Sequence, residues 1–224
     1  MAIKKIIAFG SAKGGVGKSS ITASVALSLS KKYKVGILDA DIYGPNQNIL
    51  FNIKEKPTIN NKLIKPITKK NIEITSMGLL LENDAAATWR GPMLSGAIKQ
   101  LIHSTDWSEL DYLLIDMPPG TGDAYLTIFK ELEVDHFILI NTNHFLSSAD
   151  SNRTISMLNK LNVNILGYIE NNIFNVDKKT VNYFETNKIN KLGTYSFHEK
   201  IYYFDPEFNC EESNDVAKKI YEMT

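Results

Sequence analysis

The sequence predicts an α/β fold, a doubly wound and mostly parallel sheet, on two observations. Short apolar runs rich in β-branched residues recur from one end of the chain to the other, with segments of helical periodicity between them. The runs are apolar almost throughout rather than alternating, which is the pattern of strands covered on both faces by helices. Residues 3–9 form the first such run. A glycine-rich turn over 10–18 follows, then a helix whose Ile21, Val25 and Leu29 stand four apart on one face. Residues 35–38 read as a second strand, and 63–67 with 72–76 as a hairpin that has Lys69, Lys70 and Asn71 near its turn. Pro92 suits a first helical turn, and Leu94, Ile98, Leu101 and Ile102 share one face of the helix it opens. Strands are expected at 112–115, 137–140 and 163–169, with helices at 147–160 and 176–187 between or after them. A last helix over 215–222 has Ser213 or Asn214 as its cap. Residues 46–70 are the least regular stretch. With no repeat, low-complexity tract or linker, residues 1–224 are expected to form a single domain.

Composition narrows the function classes. Apolar residues at 43% and charged residues at 22% argue against disorder. Lys plus Arg and Asp plus Glu number 25 each, so the formal net charge is zero, which weighs against a broad electrostatic grip on nucleic acid or acidic membranes. No stretch approaches the ~20 apolar residues of a spanning helix, and the start of the chain lacks the features of a signal peptide. A cytoplasmic protein without membrane or nucleic-acid partners is expected. Cys210 is the only cysteine, so one chain can close no internal disulfide and build no cysteine-based zinc site. Its neighbours Glu211 and Glu212 should raise the thiol pKa. His103, His136, His144 and His198 have no i, i+4 pairing and read as structural or surface residues. Tyr195, Phe197, Tyr202, Tyr203 and Phe204 form an aromatic-rich stretch that suits core or dimer packing.

The strongest chemical signal is Gly10-Ser11-Ala12-Lys13-Gly14-Gly15-Val16-Gly17-Lys18-Ser19-Ser20, set between a strand and a helix. Glycines let a backbone turn tightly and bring its N–H groups close to phosphate oxygens. The helix start adds unpaired N–H groups and the positive end of its dipole. Ala12 to Ser20 are therefore the candidate triphosphate-binding residues, with Lys18 on the β- and γ-phosphates and Ser19 on Mg²⁺. No dinucleotide fingerprint can be drawn through these glycines. Ligands of open parallel sheets bind beyond the carboxyl ends of the strands, and acidic residues fall there. Asp116 is the candidate for holding Mg²⁺ through water. Asp41 is the candidate for ordering the attacking water or the metal shell, and Asp39 could be a structural partner of the loop. Met117-Pro118-Pro119-Gly120-Thr121-Gly122-Asp123 cannot continue as a helix at its prolines. With Asp39 and Asp41, the residues Pro118, Pro119 and Gly120 form a candidate switch, ordered by the γ-phosphate and released after hydrolysis.

Lys13-Gly14-Gly15-Val16-Gly17-Lys18-Ser19 resembles the deviant phosphate loop of the MinD/ParA class of dimeric P-loop ATPases. The resemblance implies that Lys13 crosses to the nucleotide of a partner subunit and joins Lys18 and Asp41 as a catalytic residue. Leu38-Asp39-Ala40-Asp41-Ile42-Tyr43-Gly44-Pro45, Trp89-Arg90-Gly91-Pro92-Met93, the segment from Asp111 to Asp123, and Leu166-Gly167-Tyr168-Ile169-Glu170-Asn171 together resemble the Mrp/ApbC family of iron–sulfur cluster carriers. That resemblance implies a homodimer with ATP between the subunits, slow hydrolysis, Asn171 near the adenine, and transfer of clusters to apoproteins. The chain departs from that family in two places. Residues 173–191 lack the family's Cys-x-x-Cys, and Ser196-Phe197-His198 stand where the family has Pro-x-Asp. A cluster held by this chain alone is accordingly doubtful, and a cysteine-bearing partner is one way to supply the missing thiolates. The alternatives are a cluster-free, nucleotide-switched adaptor and a MinD/ParA-like positioning ATPase. The zero net charge, the Trp89 to Met93 element and a last helix without a basic face weigh against the second.

Overall fold

The computed structural model describes residues 3–80, 92–142, 145–172 and 183–224. In chain order the elements are β1 (Ile3–Gly10), α1 (Lys18–Leu29), β2 (Val35–Asp39), α2 (Gln47–Leu50), β3 (Ile59–Asn60), β4 (Leu63–Ile64), β5 (Ile67–Lys69), β6 (Ile72–Ser76) and α3 (Met77–Leu80). They continue with α4 (Pro92–Ser104), β7 (Leu110–Asp116), α5 (Asp123–Glu131), β8 (His136–Thr142), α6 (Phe145–Lys160), β9 (Ile165–Asn172), α7 (Tyr183–Thr186), β10 (Lys191–Ser196), α8 (Glu199–Tyr202) and α9 (Glu211–Met223).

Among the described residues the main sheet runs in the order β10-β9-β8-β1-β7-β2-β6-β5. Its pairs are parallel except β5 on β6. This is the mostly parallel sheet read from the sequence. Residues alternate between its two faces. Ile7 and Phe9 of β1 and Ile37 of β2 join Ile21, Val25 and Leu29 of α1 and Val216 and Ile220 of α9 in one core. Ala8, Leu38, Leu113 and Ile115 point the other way, into a second core with Ile98 and Leu101 of α4 and Tyr125 and Ile128 of α5. Each fully buried Ile or Leu side chain contributes roughly 1.5–3 kcal/mol. Packing of that size matters for α1, whose Ser19, Ser20, Thr22, Ser24 and Ser28 are weak helix formers. Among the described residues no helix is long and apolar enough to cross a membrane.

The hairpin is shifted from its expected position. β5 and β6 are joined by Lys70 and Asn71, whose φ values of 51° and 61° are those of a two-residue turn matched to strand twist. Residues 63–64 instead pair antiparallel with 59–60, across Asn61 and Lys62 at φ 50° and 68°. The last helix starts at Glu211, one turn earlier than expected. Two acidic residues occupy its first turn, where they complement the helix dipole. Ser213 is thereby inside the helix, 2.8 Å from the Tyr195 hydroxyl, and caps nothing. α5 and β10 were not expected from the sequence. Residues 176–182 of the expected 176–187 helix, with Trp89, Arg90, Gly91 and His144, lie outside the described residues, and residues 183–186 are helical.

Candidate nucleotide site

β1 must deliver the loop over 11–17 to the start of α1. Gly10, the last residue of β1, leaves no room for a side chain, because a Cβ there would collide with Phe137 and Tyr125. Gly15 and Gly17 take φ of 76° and 83°, the left-handed region that favours glycine. At Gly17 a Cβ would also strike the Asn171 amide. That amide, at the carboxyl end of β9, donates to the Val16 carbonyl oxygen at 2.9 Å. Ser11 Oγ donates to the Lys13 carbonyl oxygen at 2.7 Å, and Gly120 N donates to the Ser11 carbonyl oxygen at 3.1 Å. The loop is thus tied on one side to β9 and on the other to the Pro118-Pro119-Gly120 segment, where Gly120 has φ 88°.

Behind the loop, Lys18 and Asp116 form a buried ion pair through Asp116 Oδ1. Lys18 Nζ is also 3.5 Å from Ser19 Oγ. A hydroxyl and a carboxylate therefore converge on one positive centre, and such an oxygen donor set suits Mg²⁺. Gln47 of α2 completes the cluster. Its Nε2 donates to Asp116 Oδ2 at 2.8 Å and to the Ser19 carbonyl oxygen at 3.1 Å.

Asp39 takes the structural part. Its Oδ2 accepts from Asn46 N, Gln47 N and Ser76 Oγ, each at 3.0 Å, and its Oδ1 accepts from Asp41 N at 3.2 Å. It anchors the chain that leaves β2 and does not line the cavity. Asp41 does line it, held by Gly44 N at 3.1 Å, and burial raises its pKa against the opposing charge of Lys18.

These groups surround a cavity of about 510 Å³ whose walls include Lys13, Lys18, Asp41, Asn171 and Phe197. Gly14, Gly15, Gly17, Ser19, Ser20 and Pro119 also line it, whereas Ala12 and Val16 do not. The Val16 side chain is buried in the core, and its carbonyl oxygen accepts from Asn171. Lys13 stands at the rim with Nζ 3.1 Å from Asp150 Oδ2 of α6. Ile49, Leu50 and Ile201 add apolar wall to the same cavity, together with the end of β10 and the residues after it. There His198 stacks on Phe208 at 4.4 Å and accepts from Lys200 N, while Phe197 forms part of the wall. Packing was expected of this aromatic stretch. Tyr195 and Phe204 lie in the core, whereas Phe197 and Tyr203 are exposed in the single copy. Sequence reasoning missed Gln47 and Asp150. Neither belongs to a motif, and only the folding of α2 and α6 over the loop brings them to it.

Burial, and then the negative charge of Asp116, push the Asp39 carboxyl up to about 7. The unfolded group titrates near about 3.9. The folded chain therefore holds this proton more tightly. The stability it contributes is complete below the unfolded pKa and is lost as pH rises through the folded one. Between pH 5.5 and 8 the nucleotide-free protein should lose about 2 kcal/mol, or roughly 4–8 °C in melting temperature. Thermal melts at constant ionic strength check this. Asp39→Asn should flatten the dependence, and an undiminished slope in that variant would assign it to other groups.

The comparisons with known proteins agree with this geometry. A family model described as the NUBPL iron-transfer P-loop NTPase matches residues 2–222. The chain belongs to this family. Among its relatives, an iron–sulfur cluster carrier protein of Rickettsia felis is 48% identical over 170 residues, which is 75% of this chain and 54% of that protein. An iron–sulfur protein required for NADH dehydrogenase, mitochondrial, of Arabidopsis thaliana is 45% identical over 172 residues, 75% of this chain and 55% of that one. The chain spans about half the length of these curated relatives. Among solved structures, a nucleotide-binding protein of Archaeoglobus fulgidus in complex with ADP aligns with TM-score 0.73 and 29% identity, covering 98% of this chain and 89% of its own. The cell division ATPase MinD of Pyrococcus furiosus aligns with TM-score 0.76 at 16% identity over 99% of this chain and 100% of its own, which shows a shared fold. The NUBPL-type P-loop NTPase is thus doubly wound on the MinD/ParA pattern, as its phosphate loop suggested.

Proposed function

We propose that this chain is a Mg²⁺-dependent ATPase that works as a homodimer with ATP between its two copies, and that its nucleotide cycle serves the transfer of iron–sulfur clusters to an apoprotein. The observation that carries the reading is the buried Lys18–Asp116 pair beneath a glycine loop, with a second lysine, Lys13, at the rim of the same cavity. On triphosphate binding, Lys18 exchanges Asp116 for β- and γ-phosphate oxygens, and the loop N–H groups take the remaining charge. Mg²⁺ held by Ser19, and by Asp116 through water, would neutralise charge on the same phosphates. Lys13 leaves Asp150 and reaches the partner's nucleotide, where it stabilises charge that develops as the γ-phosphoryl departs. Asp41 orients the attacking water. The Gly120–Ser11 hydrogen bond links these events to the Pro118-Pro119-Gly120 switch. Asn171, fastened to the loop and lining the cavity, would contact the adenine. We place the protein in the cytoplasm, as one domain, acting on protein partners and not on nucleic acid or membranes.

The cluster itself does not fit this chain alone. A cubane bridging two copies needs four thiolates, and each copy has only Cys210. Cys210 is buried at the cap of α9, its Sγ donates to Glu212 Oε2 at 3.3 Å, and burial pushes its thiol pKa up. We therefore assign the nucleotide switch to this chain and the cluster cysteines to a partner protein. The same burial of Cys210 supports the second reading, an adaptor that handles no cluster. After anaerobic reconstitution with iron and sulfide and desalting, the protein alone should retain under about one iron per dimer. Close to four irons per dimer, unaffected by Cys210→Ser, would overturn the assignment.

A further inference from the structure

Gln47 is fully buried, in a stretch of chain with no sequence periodicity. Both groups that its Nε2 meets, Asp116 Oδ2 and the Ser19 carbonyl oxygen, are acceptors, so the amide can stand only one way round. Its backbone is fixed as well, since Gln47 N donates to the buried Asp39 carboxylate at 3.0 Å. The amide oxygen Oε1 is buried and has no hydrogen-bond partner among the described residues. A buried acceptor left over in this way is costly, and it lies on the same amide that grips both Ser19 and Asp116.

The two oxygens of Asp116 are divided between donors. Oδ1 takes Lys18 and Oδ2 takes Gln47. When Lys18 turns to a triphosphate, Oδ1 is released, and Gln47 remains as the side-chain donor that keeps the carboxylate from rotating. We propose that Gln47 is a positioning residue for the Mg²⁺ site, an inference that rests on the Mg²⁺–ATP reading above. Its Nε2 keeps Asp116 Oδ1 and the Ser19 segment turned toward the ion. Its Oε1 accepts a hydrogen bond from a water of the ion's hydration shell. Gln47 touches neither the nucleotide nor the reacting atoms, and it acts through Asp116 and Ser19.

The test separates Mg²⁺ from nucleotide. Binding of a fluorescent, non-hydrolysable ATP analogue is measured in EDTA and then across a Mg²⁺ titration. The wild-type protein should bind more tightly with Mg²⁺, and no Mg²⁺ dependence at all would overturn the underlying reading. Gln47→Met keeps the volume and loses the amide. It should raise the half-saturating Mg²⁺ concentration about tenfold or more, the usual cost of losing an outer-shell partner, while affinity in EDTA changes less than about twofold. Gln47→Asn, whose amide is one methylene short, carries the same expectation if the Met variant does not fold. In an Asp116→Asn background the Gln47→Met change should add little further loss. A Mg²⁺ midpoint within twofold of wild type, or equal weakening with and without Mg²⁺, would show a merely structural glutamine and sink the proposal.

Discussion

Lys18→Ala should weaken triphosphate binding by orders of magnitude and should also weaken the nucleotide-free fold. Two charge-assisted hydrogen bonds to β- and γ-phosphate oxygens are worth about 1.5–3 kcal/mol each, so affinity should fall by roughly 10²–10⁴-fold. Calorimetric titration with a non-hydrolysable ATP analogue measures this directly. The second effect follows from the ion pair. Asp116 is completely buried, and without Lys18 only Gln47 would remain as its side-chain donor. Breaking a buried pair from one side costs about 3–5 kcal/mol, or roughly 10 °C in melting temperature for a chain of this size. The double variant Lys18→Ala/Asp116→Asn should recover much of that stability and none of the binding. Wild-type affinity in the single variant would remove Lys18 from the phosphates. An unchanged melting temperature would mean that the ion pair carries no weight.

Lys13→Ala should behave differently in every respect. Its partner Asp150 is one-third exposed and Lys13 more so, and a pair of that kind is worth at most about 1 kcal/mol. Stability should hardly move, and nucleotide affinity should stay within about threefold. Hydrolysis should fall by about 10³-fold, the scale on which a cation supplied from a partner acts in phosphoryl transfer. Steady-state phosphate release gives the number. A fall of less than about tenfold would leave Lys13 as a solvated loop residue. Asp150→Ala, in contrast, frees Lys13 and should not slow turnover.

The strand ends of the candidate site were legible because two strong demands coincide there. A lysine after closely spaced glycines at a helix start has few other uses, and short apolar runs bounded by turn signals, such as those of β1, β7 and β8, have the length and flanks of buried strands. Elements with weaker demands were hidden. β10 buries mainly Leu192 and Tyr195 at the sheet edge, so its sequence shows no apolar run. α5 begins at Asp123, directly after a proline- and glycine-rich segment that reads as loop, and its buried face needs only Ala124, Tyr125 and Ile128 together with Thr127. Asp39 and Asp41 are alike in sequence, two residues apart at one strand end. The structure separates them, since Asp39 points back to four donors and Asp41 faces the cavity. Gln47 had no signal at all. Its burial depends on Asp39 folding α2 against α1 and β6, which is a tertiary event.

The central claim is that one functional site is built from two copies of the chain, and mixing two inactive proteins tests it. Lys13→Ala lacks the lysine offered to its partner, and Asp41→Ala lacks the carboxylate that orients water in its own site. In a mixed dimer, the site with an intact Asp41 receives its lysine from the Asp41→Ala copy and is complete, while the other site lacks both. Combined at equal concentrations with ATP and Mg²⁺, the two inactive variants should recover about one quarter of the wild-type rate, given random pairing and one working site in half of the dimers. A mixture no faster than either variant alone, with both folded and forming mixed dimers, would contradict a lysine acting across the interface.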